Sequence, residues 1–296
     1  MKKTLHNNYI AAGISSEIRK RGLLWQFRRI MGYTPDLKAP STYQEKLLYR
    51  KLYGNHGFYS ELADKYQVRE YVKEKAGSKY LVPLLGAYEK LDVPTIERIS
   101  EPFIIKTNHG SKWNRIVRNP GDHQPYQLVR YFNSRVKRKY GRRYGEGFYD
   151  LIPPRILIEK LLLDEGDLPW NYCFFCYNSH RGFEHYVSLH SPDKKFKGRF
   201  NSQWEPWGDN FTPEMRHKYA SPTNSEEMFR LARSLSEGID FVRVDLYNVK
   251  GQVYFGELTF IPGGKPSVVD NVLKQIFMDE MWVLDKHNPR LYRKYP

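Results

Sequence analysis

The chain has 296 residues, enough to bury an enzyme-sized core in one large or two modest domains. Two cysteines exclude a disulfide scaffold and agree with a reducing compartment, no run approaches the ~18 consecutive apolar residues of a membrane span, and the N-terminus lacks a secretory apolar core, so the cytoplasm is the expected location. Forty-eight Lys and Arg against thirty-three Asp and Glu give a net charge of +15, which draws polyanions to the surface: nucleic acid, anionic lipid or acidic polysaccharide.

In chain order, Ile18 to Met31 reads as a short basic amphipathic helix, weakened at Gly22, that docks on the protein body or rests on a membrane surface. Apolar spacing predicts helices over 43–53 and 64–76, the second stopped by Gly77. Phe103-Ile-Ile-Lys-Thr is strand-like and meets the polar loop Asn108-His-Gly-Ser-Lys-Trp-Asn before a second apolar run at Ile116 and Val117. Pro125 to Arg138 predicts a helix with proline in its first turn, and 155–163 a buried strand that leaves into the acidic turn Asp164-Glu-Gly-Asp. Strands over 172–177 and 183–189 precede a Trp- and Pro-rich segment, a helix over 225–237 and a final hairpin. The order is mixed α and β without repeats.

The hairpin carries the densest chemistry. Period-two alternation puts Phe241, Arg243, Asp245 and Tyr247 on one face, and Phe255, Glu257, Thr259 and Ile261 together on the return strand. A turn centred on Gly251 pairs Asp245 with Glu257 and Arg243 with Thr259, with opposed Cβ atoms about 5 Å apart. Two facing carboxylates among Phe, Tyr, Val and Ile repel each other and need compensation. A divalent cation provides it, and so does a buried salt bridge to Arg243. Oxygen-only ligands on a rigid hairpin suit Mg²⁺, which takes one or two carboxylates plus phosphate oxygens and water.

A second constellation is Lys106 at its strand end, followed by Asn108, His109, Gly110 and Ser111. Gly110 permits close backbone approach, loop N–H groups can hold phosphate and Lys106 can pair with it, although an ordinary hairpin has the same pattern. In a third, Ile158-Glu-Lys-Leu-Leu, the strand offers backbone groups to an adenine edge, with Asp164 or Glu165 near a ribose. Cys173 and Cys176 lack the second pair that a zinc site needs and are expected in the core. His180, His185 and His190 fit neither helical nor strand period and are expected on the surface or in loops. Trp204 and Trp207 suit either local packing or stacking on sugar rings.

Over roughly residues 40 to 285 the chain resembles the ATP-grasp enzymes, and within them the TupA-like family associated with teichuronopeptide and capsule polysaccharide synthesis. The carriers are Asp64-Lys-Tyr-Gln-Val-Arg-Glu-Tyr-Val-Lys-Glu-Lys-Ala-Gly, Phe103-Ile-Ile-Lys-Thr-Asn-His-Gly-Ser, Ile156-Leu-Ile-Glu-Lys-Leu-Leu, Tyr172-Cys-Phe-Phe-Cys-Tyr-Asn, Asp240-Phe-Val-Arg-Val-Asp-Leu-Tyr and Gly256-Glu-Leu-Thr-Phe-Ile-Pro-Gly-Gly, in that order. The resemblance implies an α+β ATP-grasp fold with the nucleotide between two lobes built on mainly antiparallel sheets. An N-terminal helical region would cover 1–100, a small lobe with the phosphate loop 101–162, and a C-terminal lobe with the metal hairpin 163–296.

By the same resemblance Lys65 and Lys106 contact ATP phosphates, and His109, Gly110 and Ser111 cover them. Glu159, Lys160, Leu161 and Leu162 form the adenine hinge, while Asp245 and Glu257 bind Mg²⁺. Thr259 stands where most ATP-grasp enzymes have Asn, and Lys112 where many relatives have another Gly. The implied activity is a carboxylate-amine ligase. ATP converts a carboxylate to an acyl phosphate, an amine attacks it, and Lys106 and Arg243 stabilise the transferring charge and the oxyanion. The family context suggests an acidic sugar of a surface polysaccharide joined to an amino acid, with peripheral contact at the inner membrane face. Two other classes remain: a sugar-nucleotide glycosyltransferase, for which no compact Asp-x-Asp motif is present, and a nucleic-acid-binding protein, motivated by charge and twenty-three tyrosines but leaving Asp245 and Glu257 unexplained.

Overall fold

The computed structural model describes residues 2–141, 145–193, 195–207, 215, 219, 221–268 and 272–293, with side chains in the first and last helices from Glu17 and Gln275 onwards. Helix α1 (Lys2–Met31) is longer than its basic stretch and runs through Gly22. It docks through Phe27, which is fully buried and meets Tyr33 edge-on at 5.2 Å, while Ile18 and Trp25 stay exposed. No helix among the described residues is long and apolar enough to cross a membrane.

Helix α2 (Tyr43–Tyr53) has the expected limits, set by a capping box: the Thr42 hydroxyl accepts from the Glu45 amide, and the Glu45 carboxylate accepts from the Thr42 amide. The single helix expected over 64–76 is instead two. Asp64 caps the end of α3 (His56–Ala63), and α4 (Val68–Ala76) restarts after Asp64 Oδ1 has accepted from the Tyr66 amide. Short polar side chains compete with helical hydrogen bonds in this way, and the break holds Lys65 in a turn.

Strands β1 (Leu84–Tyr88), β2 (Phe103–Thr107), β3 (Asn114–Val117) and β4 (Ile156–Lys160) form an antiparallel sheet in the order β1-β4-β2-β3. Helices α5 (Val93–Glu97) and α6 (Pro125–Arg135) accompany it. Phe103, Ile105, Ile156 and Ile158 share a small core with Ile96 and Phe132. Alternation along β2 sends Ile104 and Lys106 to the other face, where Ile104 pairs with Glu159.

A second antiparallel sheet has the order β7-β6-β5-β8-β9, from β5 (Asn171–Ser179), β6 (Gly182–His190), β7 (Lys197–Phe200), β8 (Phe241–Val249) and β9 (Gln252–Thr259). Val242, Val244 and Leu246 on one face join Met228, Leu231 and Leu235 of α7 (Ser225–Ser236) in the main core. The other face, through Tyr186, meets Phe277 of α8 (Val272–Met281). Trp204 stacks on Phe200 at 4.9 Å and Trp207 lies 5.0 Å from Tyr186, so both serve local packing.

Arg50 is the most deeply buried cation among the described residues. Its guanidinium pairs with Asp240 at 2.5 Å, donates to the Phe241 and Phe260 carbonyls and lies 4.5 Å from the Trp282 ring. Asp240 also accepts from Tyr292 Oη, Trp282 Nε1 and the Asp285 amide. This network ties α2 to the start of β8 and to the last described segment.

His185 departs from expectation. It sits inside β6 with 6% exposure, packed beside Phe174, Phe183 and Phe229, because a strand buried on both faces accepts apolar contact at every position. Burial pushes its pKa down to about 4. A group depressed in the folded state contributes stability above its unfolded pKa and loses it as pH falls towards the folded one, here between 6.5 and about 4. The wild-type chain is expected to lose about 2 kcal/mol at pH 5 through His185, and His185→Phe to lose correspondingly less. Melting curves at pH 7.5 and 5 check this; equal acid sensitivity in both proteins would exclude the assignment.

Candidate active site

The hairpin makes the expected pairs by an unexpected route. Its tip is the two-residue turn Lys250-Gly251, both with positive φ (50° and 81°), as a tight right-twisting hairpin requires. That turn pairs Leu246 with Phe255. A bulge at Gly256 then inserts one residue and sets Asp245 opposite Glu257 and Arg243 opposite Thr259. The bulge also corrects the expected faces: Phe255 goes to the core with Leu246 and Leu258, and Tyr254, opposite Tyr247, takes its place beside the charged groups.

Arg243 grips Asp245 with two hydrogen bonds of 2.6 Å and also donates to Glu257 Oε1 at 3.1 Å and to Thr259 Oγ1 at 3.0 Å. The Thr259 hydroxyl donates in turn to Glu257 Oε1 at 3.0 Å. Burial raises the Asp245 carboxyl above its ordinary value despite Arg243. Burial acts the same way on Glu257, but Lys65, Arg243 and Lys106 outweigh it and hold that carboxyl low, so it stays ionised. The Cys173 thiol, beneath Asp245 on β5, is pushed far up by burial and by that carboxylate, which excludes a thiolate nucleophile at neutral pH. Cys176 is a core residue, as expected.

Lys65 joins this wall to the loop after β2: its Nζ lies 3.5 Å from Glu257 Oε2 and donates to the Gly110 carbonyl at 3.0 Å. The loop is built on buried Asn108, whose amide group donates to Asp64 Oδ1 and the Pro153 carbonyl and whose Oδ1 accepts from the Arg155 amide. His109 is buried beside it, its Nε2 3.1 Å from the Arg138 carbonyl, and burial with Lys65 nearby depresses its pKa. Gly110 has φ 96°, and a Cβ there would meet the Tyr140 ring at 2.6 Å; exposed Ser111 follows. Lys112 holds φ 64°, a conformation that costs a residue with Cβ roughly 1–2 kcal/mol. Gly110→Ala is therefore expected to lower stability by about 1–2 kcal/mol, since its methyl group would meet the Tyr140 ring. A thermal melt checks this, and an unchanged Tm would sink it.

Lys106 points to the same side as Lys65 and forms a 2.6 Å ion pair with Glu159, which Arg69 approaches at 3.6 Å. The Glu159 side chain therefore belongs with Lys106. At the strand end, the Lys160 and Leu161 amides donate to the Pro83 and Pro102 carbonyls, the Lys160 side chain lies 3.5 Å from Glu101, and half-buried Leu162 follows. Asp164 closes a tight turn with Asp167 and accepts from the Lys250 amide, which places it by the hairpin tip rather than by the carboxylate pair.

Arg243, Asp245, Glu257, Thr259 and Lys65 thus form one connected cluster, and Lys106 with Glu159 a second. Asp64 and Arg69 were given no role from sequence, and Asn108 was named there only as part of the loop after Lys106. The signal for the first two lay in their nearness to Lys65, and for Asn108 in its polar character at the strand end. No group of three or more His, Cys, Asp or Glu that could hold a metal occurs among the described residues. Two carboxylates and a hydroxyl fit Mg²⁺ in kind, since that ion draws its remaining ligands from phosphate and water.

A family model described as TupA-like ATPgrasp matches residues 45–278, most of the chain. The chain belongs to the TupA-like ATP-grasp family. The match spans both sheets, the Lys65 turn, the loop after β2 and the hairpin, and so assigns the α+β fold. Solved structures with similarity to this TupA-like chain include D-alanine-D-alanine ligase from Helicobacter pylori (17% identity, TM-score 0.47, 75% of this chain and 61% of that one). Others are L-amino acid ligase from Bacillus licheniformis (15%, 0.44, 70% and 45%) and biotin carboxylase from Campylobacter jejuni in complex with an ATP analogue (13%, 0.43, 81% and 51%). The chain spans less than two thirds of each of these. No curated protein matches the TupA-like chain in sequence.

Proposed function

We propose that this protein is an ATP- and Mg²⁺-dependent carboxylate-amine ligase that joins an amino acid to a uronic acid of a surface or capsular polysaccharide, or to its precursor. The observation that carries the reading is the single network running from Asp245 and Glu257 through Lys65 to the Gly110 carbonyl. It sets a pair of oxygen ligands beside a loop able to hold phosphate.

In this reading Asp245 and Glu257 hold Mg²⁺, with the Thr259 hydroxyl orienting Glu257. The ion, when bound, neutralises phosphate charge during transfer. Lys65 and Lys106 position the ATP phosphates, and the Gly110 loop covers them. Phosphoryl transfer to a carboxylate gives an acyl phosphate, an amine adds to it, and phosphate leaves. Such transfer mainly needs positioning and neutralised charge, so no nucleophilic side chain is required. Arg243, fixed on the hairpin, stabilises the oxyanion formed as the amine adds. Lys160 to Leu162, at the end of β4, would hold the adenine; the Lys160 and Leu161 amides already donate to Pro83 and Pro102, so the Leu162 amide is the one that would serve it. An excess of positive charge suits an acidic polymer as acceptor.

The test incubates the protein with ATP, Mg²⁺, uronic acid acceptors and a panel of amino acids, follows ADP, and weighs the products. ADP and an amide product in equal amounts are expected. Stabilisation by a UDP-sugar with no ADP release would replace this reading with a glycosyltransferase.

A further inference from the structure

Helix α6 buries Phe132 against the small core and turns its other side to solvent. On that side Gln127, Arg130, Tyr131, Ser134 and Arg135 recur at helical spacing, and with Arg138 they line a cavity of about 320 Å³. The Arg115 guanidinium, from β3, lies 4.4 Å from the Tyr131 ring; that of Arg135 lies 4.8 Å from the same ring and 5.5 Å from Trp113.

No carboxylate stands against these arginines among the described residues, and the sequence from 123 to 145 contains seven Lys and Arg without one Asp or Glu. Cations near a helix C-terminus offset the helix dipole, which accounts for Arg135 and Arg138. It does not account for Arg130 in mid-helix, for Arg115 on a strand, or for the hollow that Arg130, Arg135 and Arg138 line. Like charges gathered without a counter-charge raise one another's energy until an anion arrives.

The hollow adjoins the loop beside Lys65, because the Arg138 carbonyl meets His109 and the His109 and Trp113 rings are 5.5 Å apart. Guanidinium groups over Tyr131 and Trp113 crowd the ring faces on which nucleic acid bases would stack, while leaving N–H donors for carboxylates. We propose that this groove is a second binding site, which holds the carboxylates of an acidic polysaccharide chain while one sugar of that chain lies at the reacting centre. The proposal rests on the acidic sugar reading above and adds to it a polymer-length acceptor.

Three probes test it by titration calorimetry in low salt: an oligogalacturonate, its methyl ester and oligo-deoxythymidylate, each with the wild type and with Arg130→Glu/Arg138→Glu. The acid oligomer is expected to bind the wild type, to weaken at least about ten-fold in the variant and to lose affinity with added salt, the ester remaining weak throughout. ATP turnover with a monomeric acceptor should be unchanged in the variant. Equal oligogalacturonate affinity in both proteins, or tighter binding of the oligonucleotide with loss of that binding in the variant, would overturn the proposal. Absence of ADP release with any sugar would remove the ligase reading but leave the groove measurement standing, so the two failures are distinct.

Discussion

Glu257→Gln is expected to reduce ATP turnover by about 10²–10³-fold or more while the protein stays folded. The change keeps the side-chain shape and the contact with the Thr259 hydroxyl but removes a charge opposed by Lys65 and Arg243. Phosphoryl transfer relies on charges fixed in advance, so in the proposed reading, where Glu257 is one of two metal carboxylates, its loss costs far more in the transition state than in the folded ground state. Glu257 is depressed in the folded protein, so it contributes stability above its unfolded pKa and loses it as pH falls through the lower folded value. At pH 7.5 that contribution is present in the wild type and absent in the variant, so a modest fall in Tm should accompany the large fall in turnover. ADP release and Tm measured together decide the matter: turnover within three-fold of wild type would remove Glu257 from the machinery.

Arg50→Met should produce the largest loss of stability, about 3–5 kcal/mol, without touching the site. The methionine fills much of the space among Tyr59, Trp282 and Tyr292, but it leaves Asp240 buried with hydrogen bonds and no cation. Two backbone carbonyls, of Phe241 and Phe260, lose their donor at the same time. Replacing both members, Arg50→Met with Asp240→Leu, should recover part of the loss, because it removes the stranded charge. Denaturant unfolding of the two variants checks this, and a single-variant loss below about 1 kcal/mol would show that the network is tolerant.

The elements that a chain announces by periodicity were readable here: α2, β2 with its loop, α6, β4 and the final hairpin all follow from apolar spacing and turn residues. Strand β1 was not readable, since five residues containing Gly86 carry no alternation and gain their order only from β4. Edge strand β7 begins with Lys197 and looks like surface. The break at Lys65 was hidden because Asp64 and Gln67 fit a helix as well as a turn, and the choice is made by contacts with Asn108.

At the hairpin, sequence alternation found the opposed acids but left a cation and a salt bridge equally able to explain them. In the folded chain Arg243 holds both acids, a contact that depends on side-chain rotamers and so has no signature in strand period. The bulge at Gly256 was invisible for a related reason: a glycine in a strand signals irregularity, but only pairing reveals how it shifts the register. The partners of Lys106 and Lys65 lie far off in sequence, at Glu159 and Glu257, where no local pattern links them.

The cluster of Arg243, Lys65, Asp245 and Glu257 is electrically balanced by its own side chains. Folding therefore has no need of an ion there, and under the proposed Mg²⁺ reading a chelator such as EDTA should stop catalysis while leaving the melting temperature of the free protein where it was. Cells short of the ion would accumulate an intact, idle enzyme that resumes work when the supply returns.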